Sequence, residues 1–220
     1  MRLRKKFSDD DLERIKVAVR KAEDKISGEI VPVMVEMSDV YRVARYRAGL
    51  VLATLVFIFM IILDRFIITD ASLTLYYDPL FIFIVVMAGG ALGLVLPDLF
   101  PPVKRIFLSR KYMEGRCQET AANAFLEEEI FNTRHRTGIM IFISFFEHEV
   151  IVMADRGISK VVEQKEWDNI VSELVKHIRA GKLVEGLEAG IGRCGEILLE
   201  KGFHKSPDDI NELRDDLRIN

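Results

Sequence analysis

The sequence predicts an α/β fold: a helix–sheet–helix sandwich, split by an inserted two-helix transmembrane hairpin. Three observations predict it. Two uncharged apolar segments, 48–63 and 79–96, lie between charged, amphipathic stretches. Before them, 29–37 reads as one strand with one helix beside it. After them, 139–146 and 150–154 read as two further strands with helices to spare. A lone strand cannot bury both faces, and a two-stranded sheet is marginal by itself. Joined, the two halves make one layered domain, and 220 residues leave room for that domain and an anchor.

The N-terminal stretch has a basic start with no apolar run behind it, so no cleaved leader is expected. Ser8 is the expected N-cap of the first helix. Asp9, Asp10 and Asp11 suit the positive end of its dipole, and Phe7 can staple to Leu12. Leu12, Ile15, Val19, Ala22 and Ile26 recur at helical spacing, and Gly28 fits the helix end. In the strand that follows, Pro32 cannot donate to a ladder. That predicts an edge position or an interrupted neighbour.

The two apolar segments are the expected membrane spans. The first is short for a core of roughly 30 Å but can be extended by Arg45 and Arg47, whose stems reach toward headgroups. Arg42, Arg45 and Arg47 precede the first span, and Lys104, Arg105, Arg110 and Lys111 follow the second. The connecting loop has Arg65 against Asp64, Asp70 and Asp78. The charge rule therefore puts both flanks, both termini and the soluble domain in the cytoplasm, with the protein multi-pass in the plasma (inner) membrane. Gly49 and Ala53 in one span, and Gly89 and Gly93 in the other, are the expected sites of close helix packing, within the hairpin rather than between chains. No ionisable residue lies inside either span, which argues against an ion path or pump.

Past the spans, a helix is expected through Ala121 and Phe125, running to about Gly138, with Glu127–Glu129 as a solvated face. The strands of 139–146 and 150–154 are nearly all apolar, as in a sheet covered on both faces. Glu147, His148 and Glu149 read as an exposed turn. Successive strand residues point to opposite faces, so the three are not read as a metal site. Two amphipathic helices follow, one through Trp167, Ile170 and Leu174, the other through Leu187, Ile191 and Cys194. The domains expected are 1–41 and 105–203 as two parts of one soluble domain, 42–104 as the hairpin with its loop, and 204–220 as a polar, extended tail.

Chemistry is sparse. The net charge of −3 gives no reason to expect nucleic acid. Cys117 and Cys194 stand alone and read as reduced, buried thiols. Each has an arginine before it, but on a predicted helix rather than in a phosphate cradle. Asp155, ending a buried strand ahead of Arg156-Gly157, is the best polar candidate, because ligands gather at strand ends in open sheets. Glu29, opening the first strand, is the second. A helix or turn cap is the plainer role for Asp155, and no metal ligand set can be assigned.

The stretches SGEI, RTGIMIFIS, VIVMADRGI and DDINEL, within their longer surroundings, resemble the TPM domain family. The likeness covers the chain apart from the spans and their loop. It implies an α/β sandwich with a mixed sheet and, in the membrane-anchored subgroup, a hairpin inserted after the first strand. Members have been linked to acid phosphatase activity, to calcium binding and to assembly or repair of membrane complexes. Calcium is thus the one cofactor the resemblance implies, though a cytosolic domain would meet little of it. Arg214 stands where related sequences often have proline. The expected role is a membrane-anchored binding or assembly module whose partners are the lipid bilayer and other membrane proteins. A metal-assisted, acid phosphatase-like enzyme is the alternative.

Overall fold

Strands from both sides of the apolar segments pair in one sheet in the computed structural model, which describes residues 3–66, 78–205 and 211–219. Two compact units emerge, one of residues 1–39 with 114–220 and one of residues 40–113. In chain order the elements are α1 (Asp9–Glu23), β1 (Glu29–Val35), α2 (Arg42–Phe66), α3 (Pro79–Leu99), α4 (Pro101–Ile106), α5 (Arg110–Glu127), β2 (Gly138–Ser144), β3 (Glu149–Ala154), α6 (Arg156–Ser159), α7 (Gln164–Arg179), α8 (Leu183–Glu200) and β4 (Arg218–Ile219).

In the first unit, the sheet order is β3-β2-β1-β4. β1 runs parallel to β2, with Glu29 opposite Gly138 and Val35 opposite Ser144, and β3 returns antiparallel to β2. The sheet is therefore mixed. Alternation along the strands sorts their side chains into two cores. Ile30, Met34, Ile139, Ile141 and Ile143 join α1, α7 and α8 through Ile15, Trp167, Leu174 and Ile191. Val31, Val33, Val35, Met140 and Phe142 join α5 through Cys117, Ala121 and Ala124. All seven residues of β1 and of β2 are buried, which is why neither strand shows an apolar–polar alternation in sequence.

The start of α1 is built as expected. The Ser8 side chain accepts from the Asp11 amide, and the Asp11 carboxylate accepts from the Ser8 amide, a reciprocal capping box. This hydrogen bonding holds the Asp11 carboxyl below its usual range.

Besides α1, which ends at Glu23 ahead of Ile26 and Gly28, three expectations need correction. α5 stops at Glu127 rather than near Gly138. Glu129 adopts φ 53°, and the Ile130 and Glu129 amides return to the Phe125 and Leu126 carbonyls, a left-handed closure that buries Ile130. The C-terminal stretch is more than a polar tail. β4 pairs with β1 at Val33 and Met34, Leu217 and Ile219 pack on the first core, and Leu213 packs on the second. β1 thus has an edge on that side at Pro32, consistent with a residue that cannot donate to a ladder. The third correction, at Glu147, is described below.

The second unit is a pair of long helices, α2 and α3, each long and apolar enough to cross a membrane, followed by the short α4. Only 11% of each apolar window is buried, where the core helix of a soluble body is mostly buried. Leu55, Phe59 and Ile61 on α2, and Phe83, Ile84 and Met87 on α3, face outward. The inward seam is made of small residues. A Cβ added to Gly93 would lie 2.6 Å from the Ala48 carbonyl oxygen and 2.8 Å from the Gly49 Cα. One added to Gly89 would meet Val56 at 2.7 Å, and one added to Gly90 would touch the Ala53 Cβ at 3.4 Å. Contacts that climb one helix as they descend the other make the pair antiparallel, at a spacing only small residues allow.

Candidate functional site

The two sequence candidates come to the same end of the sheet. Glu29 pairs with Gly138 at the start of β2, and the Asp155 amide, just past β3, donates to the Gly138 carbonyl at 2.9 Å. They flank one strand. Both are buried, at 8% and 7% exposure.

Asp155 caps α6. Its carboxylate accepts from the Arg156 amide at 2.6 Å, and Oδ2 lies 3.0 Å from Nε of half-exposed Arg136 without the alignment of a hydrogen bond. Arg136 adopts φ 58°, and its carbonyl accepts from the Gly157 amide. A Cβ on Gly157 would come within 2.6 Å of the His135 and Arg136 carbonyls, so this turn requires glycine.

Glu29 is bound by the C-terminal stretch. Oε1 accepts from the Glu212 amide at 3.1 Å and Oε2 from the Leu213 amide at 3.3 Å. The Glu212 carboxylate in turn accepts from the Arg134 amide, and Asp215, buried at 6% exposure, pairs with Arg20 at 2.6 Å. Arg218, pairing with Glu128 just past the end of α5, fastens the end of the chain to the second helix layer.

Between α1 and β1 lies a cavity of about 220 Å³, lined among others by Arg20, Glu23, Glu29, Lys205 and Asn211. Glu23 is the functional-looking residue the sequence reading missed. Oε1 accepts from the Ile30 amide at 2.9 Å, while Oε2 is buried with no hydrogen-bond partner among the described residues. Burial pushes its carboxyl up to about 8, against the Ile30 N–H, which favours the charged form. Glu29 and Asp215 add repulsion in the same direction as burial. The protonated form of Glu23 is therefore favoured at pH 7. One signal could have revealed it: Glu23 falls four residues after Val19, on the apolar stripe of α1 rather than its solvent face.

At the other end of the sheet, the expectation of an exposed Glu147–Glu149 turn holds for His148 and fails for Glu147, which is 4% exposed. Its Oε1 accepts from the Ser38 amide at 2.9 Å, and Oε2 accepts from the Ser144 hydroxyl. The Ser38 hydroxyl donates to Ser144 Oγ at 3.1 Å, and Thr120 donates to the Ser38 carbonyl. His148, the next residue of the turn, adopts the left-handed φ of 58°. The carboxylate thus grips the chain where β1 gives way to the sequence of the apolar unit.

Calcium finds no suitable donor set at the predicted residues. Both Glu29 oxygens already accept backbone amides, Asp155 is committed to a cap and a guanidinium, and no group of three or more acidic, His or Cys side chains placed to hold an ion occurs among the described residues. The thiols offer no nucleophile. Burial raises Cys117 to about 11 and Cys194 to about 12, so neither is a thiolate at neutral pH.

Residues 105–197 match the family model described as the TPM domain. The likeness to the TPM domain lies in that segment. The matched segment holds β2, β3 and the helices around them, but α1, β1 and β4 lie outside it and complete both of its cores. An NMR structure of the BA42 protein from the psychrophilic bacterium Bizionia argentinensis is similar to this chain, with a TM-score of 0.59 and 17% sequence identity over 97% of this chain and 95% of that one. At that identity the likeness speaks to fold. Comparison with curated proteins gives no match.

Proposed function

We propose that this chain is a membrane-anchored TPM-domain protein that binds or helps assemble other membrane proteins. It is held in the plasma (inner) membrane by α2 and α3, with its domain and termini on the cytoplasmic side. The observation that carries this reading is the division of labour between the two units. One presents long apolar helices closed by a glycine seam and otherwise left uncovered. The other spends its buried carboxylates on holding its own backbone: Glu29 on the C-terminal stretch, Glu147 on Ser38 and Asp155 on a helix cap. Acids consumed in this way support a scaffold more than a reaction centre. Orientation follows from the basic residues beside both spans.

The test is isolation of the full chain from detergent-extracted membranes, with phosphate-ester turnover measured in parallel. The reading expects defined membrane proteins to co-purify and no turnover above background, with or without calcium. Metal-dependent turnover abolished by Asp155→Ala would establish the phosphatase alternative instead.

A further inference from the structure

The second unit carries a strong charge asymmetry. Residues 40–47 and 98–113 together hold seven Lys and Arg against a single acid, Asp98, whereas residues 64–78 hold three Asp against Arg65. Inside the basic end, Asp98 is paired with Arg45 at 2.6 Å and with buried Lys104 at 3.3 Å. Lys104 also donates to the Val40 carbonyl, and Arg47 donates to the Phe107 carbonyl at 2.9 Å. These three cations tie the start of α2 to α4 and to the end of α3. Arg42, Arg110 and Lys111 are exposed around them, and beside them stand Leu99, Phe100 and Ile106, at 64%, 54% and 77% exposure. Large apolar side chains held next to several cations suit neither water nor a neutral surface. They suit an interface whose outer layer is anionic and whose inner layer is hydrocarbon.

From this arrangement we infer that the basic end of the hairpin is a binding surface for anionic phospholipid, with Arg42, Arg110 and Lys111 holding headgroup phosphates while Phe100 and Ile106 enter the acyl boundary. The inference rests on the reading that α2 and α3 lie in a bilayer, and goes beyond it by naming the lipid class and the residues that select it. Arg45 and Lys104 act as positioning residues: they neutralise Asp98, which would otherwise repel the same headgroups.

The experiment uses the full chain in vesicles of phosphatidylcholine with a minority of phosphatidylglycerol. The protein is extracted in mild detergent and the lipid retained with it is quantified. Phosphatidylglycerol is expected to be enriched over its share in the vesicle. The enrichment should be lost in the Arg42→Gln/Arg110→Gln/Lys111→Gln variant, fall partly in Lys111→Gln alone, and persist in Arg65→Gln at the opposite end. Absence of enrichment in the unmodified chain, or its persistence in the triple variant, would overturn the inference. Alkaline carbonate separates the two levels. A chain washed off the vesicles contradicts the membrane reading as well, whereas a chain that stays embedded without lipid preference contradicts only the inference drawn here.

Discussion

Glu29 and Gly138 face each other at the head of the parallel β1–β2 pair, although both apolar helices lie between them in sequence. Glu29 also carries the C-terminal stretch on its carboxylate. One residue before the apolar helices therefore joins two segments that follow them.

The clearest consequence concerns that stretch. Hydrogen bonds to a charged acceptor contribute roughly 1.5–3 kcal/mol. Glu29→Ala should therefore lower stability by about that much and speed amide exchange at Glu212 and Leu213, both bonded to the carboxylate. Exchange read by mass spectrometry checks it. Unchanged protection at those two amides would mean that β4 and the Arg20–Asp215 pair hold the segment without Glu29.

Glu23 should make stability depend on pH. Its carboxyl is near 8 in the fold and 4.5 without it. Below about pH 4.5 both states are protonated and Glu23 has no effect. Between there and about pH 8 only the unfolded chain ionises, so stability falls as pH rises and then levels off. Glu23→Gln keeps an acceptor for the Ile30 amide and removes the titration. It should flatten this slope and stabilise the protein at pH 8 by a few kcal/mol, at roughly 1.4 kcal/mol for each pH unit between the folded and unfolded values. Denaturant unfolding at pH 5, 7 and 8.5 measures it.

The glycine seam yields a steric prediction. Valine at position 93 would drive a side chain into the Ala48 carbonyl and Gly49. In the unmodified background, Ala53→Cys with Gly90→Cys should form a disulfide readily, since the β-carbons stand near bridging distance. Adding Gly93→Val should abolish that cross-link. Cross-linking at an equal rate in both would show that the helices meet along another face.

Glu147 gives a fourth test. Glu147→Ala leaves the Ser38 amide and Ser144 hydroxyl without their acceptor. A loss of about 2–3 kcal/mol is expected in thermal or denaturant unfolding, because unmet buried donors cost more than a hydrogen bond gains. A loss under about half a kcal/mol would place Glu147 among ordinary surface residues.

Much of the architecture was legible in sequence because it rests on periodicity and on composition at the two apolar segments. Ile15, Val19 and Trp167 fell at helical spacing, and the uninterrupted run from Ile139 announced a strand covered on both faces. The end of α5 was hidden because it depends on a left-handed Glu129, a conformation that residue type signals weakly. β4 was hidden because two paired residues in a charged stretch carry no strand pattern of their own. The site was half legible. Asp155 and Glu29 could be singled out by position at strand ends, but their partners come from Arg136 and the C-terminal stretch, which only the fold brings near. Glu147 was misread because its partners, the Ser38 amide and the Ser144 hydroxyl, come near only in the fold.

Site-directed cysteine labelling tests the central claim most directly. Single cysteines at Lys5, Ser72 and Lys160 in the membrane-embedded full chain are probed with an impermeant thiol reagent, using sealed vesicles of each orientation. The account predicts that positions 5 and 160 react from the same face and position 72 from the other. Positions 5 and 160 reacting from opposite faces would contradict it, since segments separated by a bilayer cannot share a sheet.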